Sequence, residues 1–246
     1  MAAARAAEPG CRAASGERTV PLVELYTSEG CSSCPPADRW LSKAFGPGGN
    51  ASAAALAFHV DYWDRLGWPD RFARADWSAR QRTLARDAGS AVVYTPQVVL
   101  QGRDFPEWRG TEATSVVARA ASAPARAEIV IDARAEGGRI DVAATGRVRH
   151  RADDRGARLV VAYTDGGHGT RVRRGENAGV TLAHDHVVRA LVEGSEADAS
   201  GALRVEATFE RPADPGREPR LVAFVERGAA REVLQALVLP LERCLK

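Results

Sequence analysis

The strongest constraint in this sequence is a cysteine pair placed directly behind an apolar run. Val20-Pro-Leu-Val-Glu-Leu-Tyr-Thr27 is almost continuously apolar, as expected of a strand buried on both faces. Cys31-Ser32-Ser33-Cys34 follows at once, and Cys34 to Phe45 suits a helix whose first turn tolerates Pro35. Residues three apart on a helical turn share a face, so the two sulfurs can meet in a Cys31–Cys34 disulfide. Cys31 would then stand at a helix N-terminus, where unpaired N–H groups and the macrodipole favour a thiolate. In exchange chemistry Cys31 attacks and Cys34 resolves the mixed disulfide. The same residues also fit a permanent structural disulfide, half a zinc site or two idle thiols. Structural zinc takes four ligands, and the other two cysteines, Cys11 and Cys244, lie near opposite ends of the chain. A Cys11–Cys244 bridge would tie the tail to the last strand, provided the Cα atoms come within ~7 Å.

The flanking segments set the expected fold. Ala53 to Val60 reads as a second buried strand, Asp70 to Ala88 as a helix closed by Gly89, and Gln97–Leu100 as a short strand. Asp104 to Glu107 reads as a weak edge strand, and Thr111 to Ala123 as a last helix closed by Pro124. The order β-α-β-α-β-β-α implies a parallel sheet covered on both faces. Gly46-Pro-Gly-Gly-Asn50 stops the first helix. After Pro124 the texture changes to about seven short strands, many with alternating polarity, as in Leu203-Arg-Val-Glu-Ala-Thr-Phe209, which predicts a β-sandwich. The expected division is a flexible segment 1–18, an α/β domain 19–124 and a sandwich-like domain 125–246.

Several side chains are placed near the cysteines by this order. Thr95-Pro96 precedes the Gln97 strand and can shape a substrate groove at the strand ends, with Pro96 ordering the loop. Asp61, Tyr62 and Trp63 leave the second strand at the same edge and would supply an aromatic wall, whereas Trp68 is expected to pack on the following helix. Glu24 shares a strand face with Leu22 and Tyr26. A buried carboxylate there needs a role or a partner: it either exchanges a proton with Cys34 or pairs with an arginine at the sheet edge. Gly175-Glu-Asn-Ala-Gly179 reads as a tight turn, with Glu176, Asn177 and the nearby His184 as a candidate binding loop. His184 and His186 alone make a weak metal site, so no metal is expected.

Charge and length exclude other classes. With 34 basic and 32 acidic residues the net charge is +2, without the basic excess of a nucleic-acid binder. No stretch approaches the ~20 apolar residues that span a bilayer. Met1 to Gly16 carries Arg5, Glu8 and Arg12 and lacks the apolar centre of a secretory signal, which fits a cytosolic protein or an exported one whose signal is gone.

Val23-Glu-Leu-Tyr-Thr-Ser-Glu-Gly-Cys-Ser-Ser-Cys-Pro-Pro-Ala-Asp38 resembles the signature of an uncharacterised secreted bacterial family, domain of unknown function 1223. His59-Val-Asp-Tyr-Trp-Asp-Arg-Leu-Gly-Trp68, Val93-Tyr-Thr-Pro-Gln97, Arg174-Gly-Glu-Asn-Ala-Gly179 and His184-Asp-His-Val-Val-Arg189 resemble it too. The resemblance implies a thioredoxin-like first half and export to the periplasm. The fold expected is thus an α/β thioredoxin-like domain followed by an all-β sandwich-like domain. The function expected is thiol–disulfide exchange with proteins or small thiols, needing no cofactor beyond an external redox partner. The alternative is a binding protein with a structural CxxC disulfide, whose β-domain recognises a partner.

Overall fold

The computed structural model describes residues 11–46, 53–153, 155–228, 231–242 and 244. The first ten residues of the expected tail, and 47–50 of the expected helix stop, lie outside them. Near the cysteines most elements follow the sequence, with two corrections: the helix expected from Asp70 begins at Ala75, and of the edge strand expected over Asp104 to Glu107 only Asp104 is strand, Pro106–Arg109 forming a short 3-10 turn because Pro106 has no N–H to give a ladder. Leu22–Thr27 forms β2 and Ala54–His59 forms β3, every residue of both being buried. Between them Pro35–Phe45 forms α1, with Cys34 as its N-cap. Ala75–Asp87 is α2, Gln97–Leu100 is β4, Arg103–Asp104 is β5 and Ala113–Ala121 is α3. Downstream, Ala127–Glu136 (β6) and Arg139–Val148 (β7) form the hairpin expected around Gly137-Gly138. Ala157–Gly166 (β8), Val187–Glu196 (β11), Ala202–Glu210 (β12), Arg217–Arg227 (β13) and Glu232–Pro240 (β14) complete the long strands. Three strands are new: Cys11–Ala14 is an edge strand, β1, and His168–Arg171 (β9) with Thr181–His184 (β10) forms a separate hairpin between β8 and β11.

The expected α/β thioredoxin-like domain followed by an all-β sandwich-like domain is overturned. Strands make up 46% and helices 20%. One mixed eight-stranded sheet, ordered β14-β13-β8-β11-β3-β2-β4-β5, draws strands from both halves of the chain. Within it only β2–β3 and β3–β11 are parallel. The physical reason is an edge that local patterning does not assign. β3 is apolar on both faces and so must be paired on both edges. The partner on its second edge is β11, about 130 residues later, where Val187 pairs with Ala57 and the Ala57 N–H donates to the His186 carbonyl at 2.8 Å.

Alternation along the strands sorts the core into three parts. On one face Leu22, Tyr26, Leu56, Phe58, Val160, Ala162, Val222 and Phe224 pack with Trp77 and Leu84 of α2. This face is concave: the Ala236 N–H donates to the Val20 carbonyl at 3.2 Å, and the Val20 N–H donates to Gln235 Oε1 at 2.7 Å, so the edge strand β14 curls over to meet the segment leading into the interior strand β2. On the other face, Val23, Leu25, Ala57 and Val98 lie under Leu41, Phe45, Trp108 and Val117, from α1, α3 and the turn before α3. Further along that face, Leu159, Val161, Leu221 and Ala223 meet Ile129, Ile131, Val142 and Val205 of a second sheet, β1-β6-β7-β12. Cys11 is bonded to Cys244, holding β1 to the C-terminal end of the chain.

Candidate functional site, a capped disulfide turn

β2 ends at the sheet edge, and Ser28 to Cys34 turns the chain into α1. Cys31 and Cys34 form a disulfide with a Cα–Cα separation of 5.4 Å. Both residues are 0% exposed, whereas Ser32 and Ser33 between them are exposed. Three loops enclose the turn. The first follows β3: a Cβ on Gly30 would lie 3.1 Å from Trp63 Cβ, so a side chain there would press on Trp63 and glycine eases this close approach. The second precedes β4. Trp63 Nε1 donates to Thr95 Oγ1 at 2.8 Å, Ser33 Oγ donates to the Thr95 carbonyl at 3.4 Å, and the Thr95–Pro96 peptide is cis.

The third is the tip of the β9–β10 hairpin. Asn177 Nδ2 donates to the carbonyls of Glu29 (2.8 Å) and Cys31 (3.0 Å), while Glu176 Oε2 accepts from the Ser32 N–H (3.1 Å) and hydroxyl (2.7 Å). Asn177 is buried; Glu176 lies outside, its carboxyl held below the usual range by the Ser32 hydroxyl and N–H. Gly175, at φ +78°, brings this tip against Trp68. The hairpin is a cap over the disulfide.

Beneath the turn lies a buried polar cluster in which sequence reading assigned roles only to His184 and to Trp68, expected on the following helix, and missed Glu29, His59 and Asp70. Trp68 Nε1 donates to Glu29 Oε2 at 2.7 Å, and His184 Nε2 lies 3.3 Å from Glu29 Oε1. Burial pushes the Glu29 carboxyl up, but His184, Thr170 and Trp68 outweigh it and hold the group below its ordinary range. Asp70 Oδ2 accepts from the Glu29 N–H at 2.8 Å and meets His59 Nδ1 at 2.6 Å. Burial opposes ionisation of Asp70, yet His59 and two backbone N–H groups bring its pKa down to about 2. Burial likewise disfavours charge on His59, but the Asp70 carboxylate raises its pKa. Asp38 in α1 is pushed up by burial against the pull of His184 and His59. The legible signal was a polar residue, His59, ending an apolar strand, and acidic residues inside an otherwise buried turn. Among the described residues no group of three or more His, Cys, Asp or Glu side chains is arranged to hold a metal.

The remaining sequence candidates lie apart from the cysteines. Glu24 lies on the concave face, opposite α1, and pairs with Arg80 of α2 at 2.8 Å, with Glu226 also 2.9 Å from that guanidinium. Asp61 and Tyr62 hydrogen-bond Ser78 and Gln81 of α2. His186 packs beside Arg220 rather than with His184.

The family model described as "Protein of unknown function (DUF1223)" matches residues 22–226. The chain belongs to that family. The match takes in the disulfide turn, the cap and the strands that carry them. No curated protein matches this DUF1223 member. Two solved structures share its fold. One is a structural-genomics crystal structure of a protein from Agrobacterium tumefaciens, with TM-score 0.62 and 22% identity, covering 92% of this chain and 96% of that one. The other is HBP35 of Porphyromonas gingivalis, with TM-score 0.67 and 15% identity, covering 94% of this chain and 77% of that one.

Proposed function

We propose that this protein is a non-catalytic binding protein of an oxidising compartment, in which the Cys31–Cys34 disulfide is a fixed brace of the recognition edge. One observation carries the reading: neither cysteine has any exposed surface, and the β9–β10 tip covers them from Asn177 below and Glu176 above. A disulfide yields to exchange only if a thiolate can reach a sulfur in line, and with both cysteines fully buried that approach requires the turn or the hairpin tip bonded to it to move. Two disulfides support a compartment that keeps thiols oxidised. The buried polar cluster then serves to fix the turn.

Exchange with proteins or small thiols is the second reading. It is favoured by Cys34 serving as N-cap of α1, which keeps Cys31 near the helix's positive end, and it requires the cap to open. Equilibration in glutathione buffers separates the two. A potential below about −300 mV, typical of inert structural disulfides, and no disulfide exchange with reduced protein substrates are expected. A more oxidising potential, with turnover that disappears in Cys31→Ser, would replace the binding reading by the exchange reading.

A further inference from the structure

Among the described residues, the exposed large apolar side chains are Leu66 (48%), Val92 (66%), Tyr94 (39%) and Val180 (43%). All four stand on the three loops around the disulfide turn. Leu66 belongs to the loop that touches Gly175, Val92 and Tyr94 precede Thr95, and Val180 closes the hairpin tip. Large apolar side chains gathered at one edge mark an interaction surface more often than chance exposure does.

Tyr94 is set in place before any partner arrives. Its hydroxyl lies 2.8 Å from both carboxylate oxygens of Asp104, which also accepts from Gln97 Nε2 at 2.9 Å. Its backbone carbonyl accepts from Gln81 Nε2 at 2.8 Å. A half-exposed aromatic ring tethered at both ends loses little entropy on contact, the property of an interface anchor.

Charge then selects the partner. Arg171, Arg173 and Arg174 lie on the hairpin tip, all exposed, and none is within ion-pair distance of a carboxylate among the described residues. Arg65 is exposed beside Leu66, its guanidinium donating only to the Tyr62 carbonyl among the described residues. The one acidic side chain on the tip, Glu176, is already engaged by Ser32. Between the arginine side and the tyrosine side runs the exposed Ser32-Ser33 floor, linked to Glu176 on one flank and to Thr95 on the other. Exposed polar Ser32 and Ser33 between loops that carry the apolar side chains suit an extended peptide, whose backbone can hydrogen-bond, better than a lipid surface.

We infer that this edge docks an acidic protein segment bearing bulky apolar side chains, with Tyr94, Leu66 and Val180 as apolar contacts and Arg173 and Arg174 pairing its carboxylates. The inference rests on the binding-protein reading and names its surface and partner class.

The test uses the full oxidised chain and a fluorescein-labelled synthetic peptide alternating glutamate with leucine and phenylalanine, read by fluorescence anisotropy. The wild type binds, more weakly as salt rises, and the glutamine version of the peptide binds about tenfold more weakly. R173E/R174E and Tyr94→Ser each weaken binding about tenfold. Arg134→Glu, on the outer face of the second sheet, leaves it within about twofold. All four positions are exposed, and cooperative urea unfolding at the wild-type midpoint verifies that each variant folds. Absence of wild-type binding, equal binding by R173E/R174E, or binding of phosphatidylglycerol vesicles in place of the peptide overturns the docking surface. None of these outcomes alters the disulfide potential, which alone decides between the brace and exchange.

Discussion

At the residue scale, two buried groups have consequences that can be measured. Arg80 enters the concave face from α2 and meets Glu24 and Glu226, all three being almost fully buried. Removing one member of a buried ion cluster leaves charge unpaired away from water, which costs about 3–5 kcal/mol. Arg80→Ala should lose that much unfolding free energy in urea titrations. Adding Glu24→Gln and Glu226→Gln to Arg80→Leu should recover most of it. His186 is the second group. Burial and the neighbouring Arg220 lower its pKa to about 4, against a smaller pull upward from Asp185. The unfolded imidazole binds its proton near ~6.5, so between pH 6.5 and 4 the unfolded state holds more protons. Stability therefore falls as pH drops through that window, by about 3 kcal/mol for a shift of this size. His186 sits at φ 57°, which asparagine tolerates. His186→Asn should flatten the pH dependence of the urea midpoint in that range.

At the element scale, the β9–β10 hairpin is bonded directly to the disulfide turn. Its tip supplies Asn177, whose amide satisfies two carbonyls of the turn. Buried carbonyls left without donors cost about 1–3 kcal/mol, and 1.4 kcal/mol is a factor of ten in an opening equilibrium. Asn177→Ala should therefore speed reduction of Cys31–Cys34 by dithiothreitol about tenfold or more, followed by alkylation and mass spectrometry. A rate equal to wild type would mean that the hairpin is not what shields the sulfurs. The hairpin's importance was hard to read locally. Its strands are four residues each, and Arg174 to Gly179 looks like any tight turn until the rest of the fold carries it over α1.

At the scale of the whole molecule, the two disulfides differ in what they constrain. Cys31–Cys34 closes a loop of three sequence steps, whereas Cys11–Cys244 spans 233. In the chain-entropy picture the long loop is worth about 5 kcal/mol and the short one about 2 kcal/mol. Cys11 and Cys244 are partly exposed, while Cys31 and Cys34 are not. Mild reduction with alkylation should label Cys11 and Cys244 first. The Cys11→Ser/Cys244→Ser double variant should unfold at clearly lower urea concentration while Cys31–Cys34 stays oxidised. Labelling in the reverse order would contradict the capped arrangement.

Periodicity and punctuation in the chain were enough to place most elements. The buried run before Cys31, Pro35 in a first helical turn, Gly137-Gly138 between alternating segments and Leu203 to Phe209 all form the elements their patterns imply, because those signals depend on neighbours a few residues away. The cysteine spacing also made the Cys31–Cys34 bond geometrically available. Strand pairing was a different matter. β3 shows the same apolar residues to any edge partner, so only the assembled sheet decided that β11 completes it and that no separate α/β domain forms. The tertiary structure likewise decided that Glu24 faces Arg80 and that Asn177 faces Cys31, because burial and partner choice depend on segments about 60 and 150 residues apart whose meeting no local signal records.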